Sequence, residues 1–143
     1  MIKILFVCHG NICRSPMAEY IMKHKIKTKH ISGVEIASAA TSTEELGNDI
    51  YPPAKEKLRQ KGIPFERRSA RRITRKDYDY YDLIVGMDDY NVRNMERILG
   101  GDPEGKIKTL LPRSVADPWY TGDFEATWQD VLAGCRGLLE KYK

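Results

Sequence analysis

The chain has 143 residues and a mass of 16.4 kDa, room for one domain over 1–143 with a core of its own. A net charge of +4 is modest for a nucleic-acid binder, and no apolar run approaches the ~18 residues of a membrane span. Three cysteines, an odd number, make no disulfide framework, and no secretory leader opens the chain, so a cytoplasmic protein with neither nucleic-acid nor membrane partners is expected.

Ile2–Val7 is a short apolar, β-branched run, the pattern of a buried parallel strand. Directly after it comes Cys8-His9-Gly10-Asn11-Ile12-Cys13-Arg14-Ser15. Ser15-Pro16 then opens a helix over about Pro16–Lys27, with Ser15 as N-cap and Pro16 at the first helical position. As bare spacing, a cysteine with an arginine six positions on is common by chance. Between a strand end and a helix N-terminus it becomes specific, because that arrangement turns backbone N–H groups inward onto an anion.

Val34–Ala39 alternates as a second strand, and Pro53 opens a helix with Ala54 and Leu58 apolar and Gly62 as its stop. Arg67, Arg68, Arg71, Arg72 and Arg75 crowd the next segment. They read first as a solvated face, and otherwise as a basic rim attracting acidic phosphopeptides. Thr74 or a neighbour starts a short helix, in which Tyr80 and the adjoining Tyr81 read as packing residues, and Leu83–Val85 is a buried third strand. Asp88 or Asp89 caps a helix that carries Val92, Met95 and Leu99 and ends at Gly100-Gly101. Ile107–Leu111 reads as a fourth strand and 112–122 as loop. Phe124, Trp128, Val131, Leu132, Cys135 and Leu139 form one stripe of a last helix over Phe124–Tyr142.

Strands alternating with helices predict an α/β fold, a parallel sheet covered on both faces as three α/β/α layers. Ligands of such sheets bind beyond the carboxyl ends of the strands, where Cys8, Ser38 and Asp88 fall. The chemistry follows. Loop N–H groups, the helix dipole and Arg14 favour a thiolate at Cys8, a nucleophile for phosphorus. The same groups suit three phosphoryl oxygens, with Arg14 forking onto two. Gly10 permits close backbone approach, Asn11 tolerates the left-handed conformation, and Ser15 can donate to the Cys8 sulfur. Ile12 and Cys13 complete the loop, and His9 is expected to point outward and influence substrate choice.

Val7–Pro16, continued by Met17-Ala18-Glu19, resembles the phosphate-binding loop of low-molecular-weight protein tyrosine phosphatases. Ser38–Ser42, Gly86-Met87-Asp88 and Asp117-Pro118-Trp119-Tyr120 follow in that family's order, so the likeness covers essentially the whole chain. The resemblance implies the sheet order 2-1-3-4 and a two-step phosphatase without metal or cofactor. Cys8 would form a cysteinyl-phosphate, and Asp117 would protonate the leaving phenolate and then activate water. Tyrosine-phosphorylated proteins or peptides would be the substrates and inorganic phosphate the product. By the same likeness Ser38 holds Asn11, Asp88 contacts Arg14, Trp119 and Tyr120 wall the substrate ring, and Cys13 is a redox partner that closes a reversible disulfide with Cys8.

Two positions depart from the pattern. Glu44 stands where many relatives carry tryptophan, removing an apolar wall and adding charge. Arg68 sits near a family histidine, so a structural hydrogen bond there is expected to be replaced. The nearest rival is a protein arginine phosphatase, which goes with threonine at the position of Ile12. Arsenate reduction on this fold needs two more cysteines between Cys13 and Cys135, where there are none. A non-catalytic phosphate-binding module is opposed by the presence of Cys8, Arg14 and Asp117 together.

Overall fold

The computed structural model describes the backbone of residues 1–142 and the side chains of 1–141. Four strands, β1 (Ile2–Cys8), β2 (Val34–Ala40), β3 (Leu83–Gly86) and β4 (Ile107–Thr109), pair in parallel in the order β2-β1-β3-β4. This is the order the resemblance implies. The register sets Cys8 beside Ala40 and Val7 beside Gly86, so the strands finish along one edge.

Alternation along β1 builds two cores. Ile4, Phe6 and Cys8 face α1 (Arg14–Thr28), α2 (Pro52–Gln60) and α6 (Phe124–Tyr142), whose Met17, Ile21, Leu58, Val131 and Cys135 are buried against them. Leu5 and Val7 face the opposite layer, where Tyr78 of α3 (Arg75–Tyr80) and Met95 of α4 (Asp89–Leu99) pack with Ile84. The central strand is therefore apolar on both faces, as the unbroken run Ile4–Val7 requires. Among the described residues no helix is long and apolar enough to cross a membrane.

Helix ends follow local chemistry. Thr74 and Asp77 form a reciprocal capping box on α3, and the Asp88 carboxylate accepts from Asn91 N at the start of α4. Gly100 closes α4 in the left-handed conformation at φ 78°. Tyr81 is buried as expected of a packing residue, whereas Tyr80 is about half exposed and hydrogen-bonds Glu35.

Besides shifts of one residue at several element ends, three differences from the sequence reading have a local cause. α1 begins at Arg14 with Cys13 as N-cap, so Ser15 lies inside the first turn and caps nothing. Its hydroxyl is already engaged by Asn11 and Cys8, and Pro16 is tolerated as the third helical residue because first-turn N–H groups lack intrahelical partners anyway. The segment 112–122 is not all loop. It holds a one-turn helix, α5 (Pro118–Thr121), capped by Asp117 and stopped by Gly122 at φ 70°. β4 ends at Thr109, although Leu110 N continues the ladder to Gly86 O at 2.9 Å.

α6 lies close on the sheet edge because position 134 is glycine. A Cβ there would stand 2.3 Å from Leu110 Cγ. The same helix holds the chain before α5 from both sides. Thr127 Oγ1 donates to Ala116 O at 2.8 Å, and Ala116 N donates to Asp130 Oδ2 at 3.0 Å.

Candidate active site

At the carboxyl edge of the sheet, β1 ends at Cys8 and the chain turns through 9–13 into α1. The turn depends on Asn11, whose φ of 60° is left-handed. An amide side chain suits that conformation because it can bond locally. Here Asn11 Nδ2 donates to Ser15 Oγ (2.8 Å) and to Ser38 Oγ (3.0 Å), and Asn11 N donates to Cys8 Sγ at 3.3 Å. Ser15 N also points at that sulfur, at 3.4 Å. Ser15 Oγ lies 3.0 Å from it, and since this oxygen accepts from Asn11, its own proton is directed to Cys8.

Arg14 is almost fully buried and held from behind. Its Nη1 donates to Asp88 Oδ2 at 2.9 Å and to Val115 O at 3.1 Å, while Nη2 lies 3.3 Å from Asp117 Oδ2. Burial opposes the guanidinium charge, but Cys8, Asp117 and Asp88 outweigh it and raise its pKa above the usual value. Asp88 thus serves two roles, the cap of α4 that the sequence pattern offered and the contact with Arg14 that the resemblance implied.

Behind the loop lies a second charged layer. Ser38 Oγ donates to Glu19 Oε1 at 2.5 Å, and Lys23 Nζ meets Glu19 Oε2 at 2.5 Å. Arg68 reaches into this layer, its Nη1 donating to Asn11 O at 2.6 Å and its Nη2 to Asn11 Oδ1 and, at 3.2 Å, to Ser38 Oγ. The replacement at position 68 therefore supplies several hydrogen bonds from a group that does not titrate near neutrality. The basic run is accordingly not a uniform solvated face: Arg71 pairs with Asp77 at 2.8 Å and Arg72 donates to Thr41 O at 3.3 Å.

Above Cys8 opens a cavity of about 440 Å³. Cys8, Ile12, Cys13 and Arg14 form its floor and Asp117 enters from the α5 turn, its Oδ1 accepting from Trp119 N at 3.1 Å. His9 and Glu44 meet on one lip at 3.0 Å, the first half-buried and the second exposed, beside Gly10. Trp119 and Tyr120 stand exposed on another, with Trp119 braced against Tyr51 at a centroid distance of 5.2 Å. Asn11, Ser15 and Ser38 are not in the cavity but directly beneath it. Burial drives the Cys13 thiol far up, helped by the neighbouring negative charges of Cys8 and Asp117, so it stays protonated. Sequence reasoning missed Glu45, Tyr90 and Asn91 as cavity-lining residues. The first neighbours Glu44, and the other two follow Asp88 on α4, which was the available signal.

An anion cradle between strand and helix, at the carboxyl edge of a parallel α/β sheet, defines a class of phosphate-handling sites. The model of the family described as low molecular weight phosphotyrosine protein phosphatase matches residues 3–143, and the chain belongs to that family. It is 38% identical, over 97% of its length and 94% of the relative's, to the low molecular weight protein-tyrosine-phosphatase YfkJ of Bacillus subtilis. The crystal structure of the low molecular weight protein tyrosine phosphatase of Streptococcus pyogenes superposes with a TM-score of 0.92 at 40% identity, covering all of this chain and 94% of that one. A Drosophila arginine phosphatase is also similar, with a TM-score of 0.88 at 30% identity, covering 99% and 98% of the two chains.

Proposed function

We propose that the protein hydrolyses phosphotyrosine in proteins or peptides through a cysteinyl-phosphate on Cys8, with phosphate as the second product. One observation carries the reading: the Cys8 sulfur receives two backbone N–H groups within a cradle closed by Arg14. The phosphoryl dianion sits on the loop amides while Arg14, held by Asp88, forks onto its oxygens. Cys8 attacks phosphorus as the ester oxygen departs, and Asp117 delivers a proton to that oxygen. In the second step Asp117 takes a proton from water, the water oxygen bonds to phosphorus and the P–S bond breaks. The Ser15 proton then stabilises the released thiolate. The family's substrate class and the aromatic lip at Trp119 and Tyr120 support an aryl ester.

Ile12 lies in the cavity floor with only its hydrocarbon side chain to offer, which supports tyrosine over the phosphoarginine that the Drosophila neighbour's name specifies. Steady-state kinetics on phosphotyrosine and phosphoarginine peptides side by side test the reading. kcat/KM is expected to favour phosphotyrosine by at least tenfold, and Cys8→Ser is expected to abolish turnover while phosphate still binds. Turnover by that variant, or a preference for phosphoarginine, would overturn it.

Cys13 is proposed as the redox partner. Peroxide converts the Cys8 thiolate to a sulfenic acid, releasing hydroxide, and the Cys13 thiol then displaces water to form the disulfide. Oxidation also removes the Cys8 charge that helps keep Cys13 protonated. After peroxide treatment, dithiothreitol should restore Cys13→Ser less fully than wild type, and equal recovery would remove Cys13 from the switch.

A further inference from the structure

Among the described residues six large apolar side chains are exposed, Met1, Leu46, Tyr80, Tyr90, Trp119 and Tyr120, and three of them border the cavity above Cys8. Scattered exposed aromatics need no explanation, but grouping around a cleft does. Trp119 and Tyr120 come from α5. Tyr90 comes from a different element, the first turn of α4, two residues after the Asp88 that holds Arg14. The residue is 58% exposed, and its side chain makes no hydrogen bond, ion pair or ring contact with another described residue. Packing therefore does not account for it.

The remaining lip is polar. His9 and Glu44 pair across it, and Glu45 lies beside them. An aryl group rising from a phosphate on the cradle thus meets carboxylate on that side, and aromatic surface only from α5 and α4. Resting on the aryl-ester reading above, we propose that Tyr90 is a specificity-determining residue that packs its ring on the aryl group of the substrate, opposite the braced Trp119. Its attachment to the turn that holds Arg14 fixes the ring's origin relative to the phosphate. Because the ring has no competing contact, it is free to close on an occupant.

Two competitive inhibitors separate ring recognition from phosphate recognition, phenylphosphonate and methylphosphonate, measured on wild type, Tyr90→Ala and Tyr90→Phe. Tyr90→Ala should weaken phenylphosphonate about 3- to 10-fold, the size of one aromatic pair. It should raise KM for a phosphotyrosine peptide by a similar factor, with kcat within about twofold, and leave methylphosphonate unchanged. Tyr90→Phe should behave as wild type. Equal weakening of both phosphonates would mean that Tyr90 acts through Asp88 and Arg14, and no weakening of either would mean that it touches nothing. A Phe variant as poor as Ala would assign the contact to the hydroxyl. Each of these outcomes overturns the proposal. The phosphonate ratio is read without turnover, so wild type failing on phosphotyrosine would sink the aryl-ester reading separately.

Discussion

The floor and the rim of the cavity are built to different standards. Cys8 and Arg14 on the floor, and Ser15 and Asn11 directly beneath it, are all buried, and Asn11 alone touches Cys8, Ser15, Ser38 and Arg68. On the rim Glu44, Tyr90, Trp119 and Tyr120 are exposed, and their side chains make one polar contact or one ring contact each, or none. The contrast teaches where the tolerance lies. On the proposed reading, the floor holds a phosphoryl group of one shape and is overdetermined, whereas the rim meets groups that vary and is loosely held.

The comparison breaks most severely at Arg14. Arg14→Lys keeps the charge but loses the planar fork and cannot span Asp88, Val115 and the substrate together, so kcat/KM should fall on the order of 10²-fold or more. A variant within a few-fold of wild type would show that the floor does not depend on bidentate geometry.

Asp117 stands between floor and rim, and its effect should depend on the leaving group. Asp117→Asn should lower kcat about 10- to 100-fold on phosphotyrosine and much less on nitrophenyl phosphate, whose phenolate departs nearly unaided. Equal losses on both esters would point to another carboxylate as the acid.

Arg68 tests whether the second layer belongs to the floor. Arg68→Met removes every donor to Asn11 O and Ser38 from that side, and should cut kcat/KM about tenfold and weaken phosphate inhibition alongside. Arg68→His should recover part of the loss, with a pH dependence that arginine does not have. A flat response to Arg68→Met would make the layer scaffolding only.

Asp49 ties the chain after the rim loop to the floor's supports. Its Oδ1 accepts from Ile50 N at 2.8 Å and Arg68 N at 3.1 Å, and Lys55 meets Oδ2 at 2.5 Å. Burial opposes the carboxylate's charge, yet these partners outweigh it and hold the pKa at about 2. The stabilisation, about 1 kcal/mol after solvent screening, is complete above the ordinary carboxylate range near pH 4 and is lost as pH falls toward 2. Urea midpoints should fall over that window, and by less in Asp49→Asn. The smallest effect belongs to the rim itself: Glu44→Gln should change kcat/KM by no more than about threefold, and only at low salt.

These contrasts also explain what could be read from the chain alone. The strand, loop and helix at Ile2–Thr28 were legible because hydrophobic pattern, turn residues and motif are local and agree. The partnership of Asn11 with Ser38 came through resemblance, since no local pattern connects residues 27 positions apart. Ser15 was misplaced because a serine before proline signals a cap, whereas here its hydroxyl was already committed to Cys8 and Asn11. Arg68 was singled out only through the resemblance and without its partners Asn11 and Ser38, because composition records how many guanidinium groups a segment has and not which of them turns inward. α5 escaped because a single turn is too short for periodicity, although Asp117, Pro118 and Gly122 carry its cap, start and stop.

The close seat of α6 on Leu110 turns one absent methyl group into a constraint on chemistry far along the chain. Thr127 and Asp130 grip Ala116, so the approach of α6 to the sheet sets where the neighbouring Asp117 comes to rest. Any side chain at 134 must lift the helix or displace Leu110, and a lifted helix carries the Asp117 turn with it. Glycine at 134 thus acts as a mechanical stop: a chain with alanine there could be well folded and yet present the Asp117 carboxylate at the wrong height over Cys8 and Arg14.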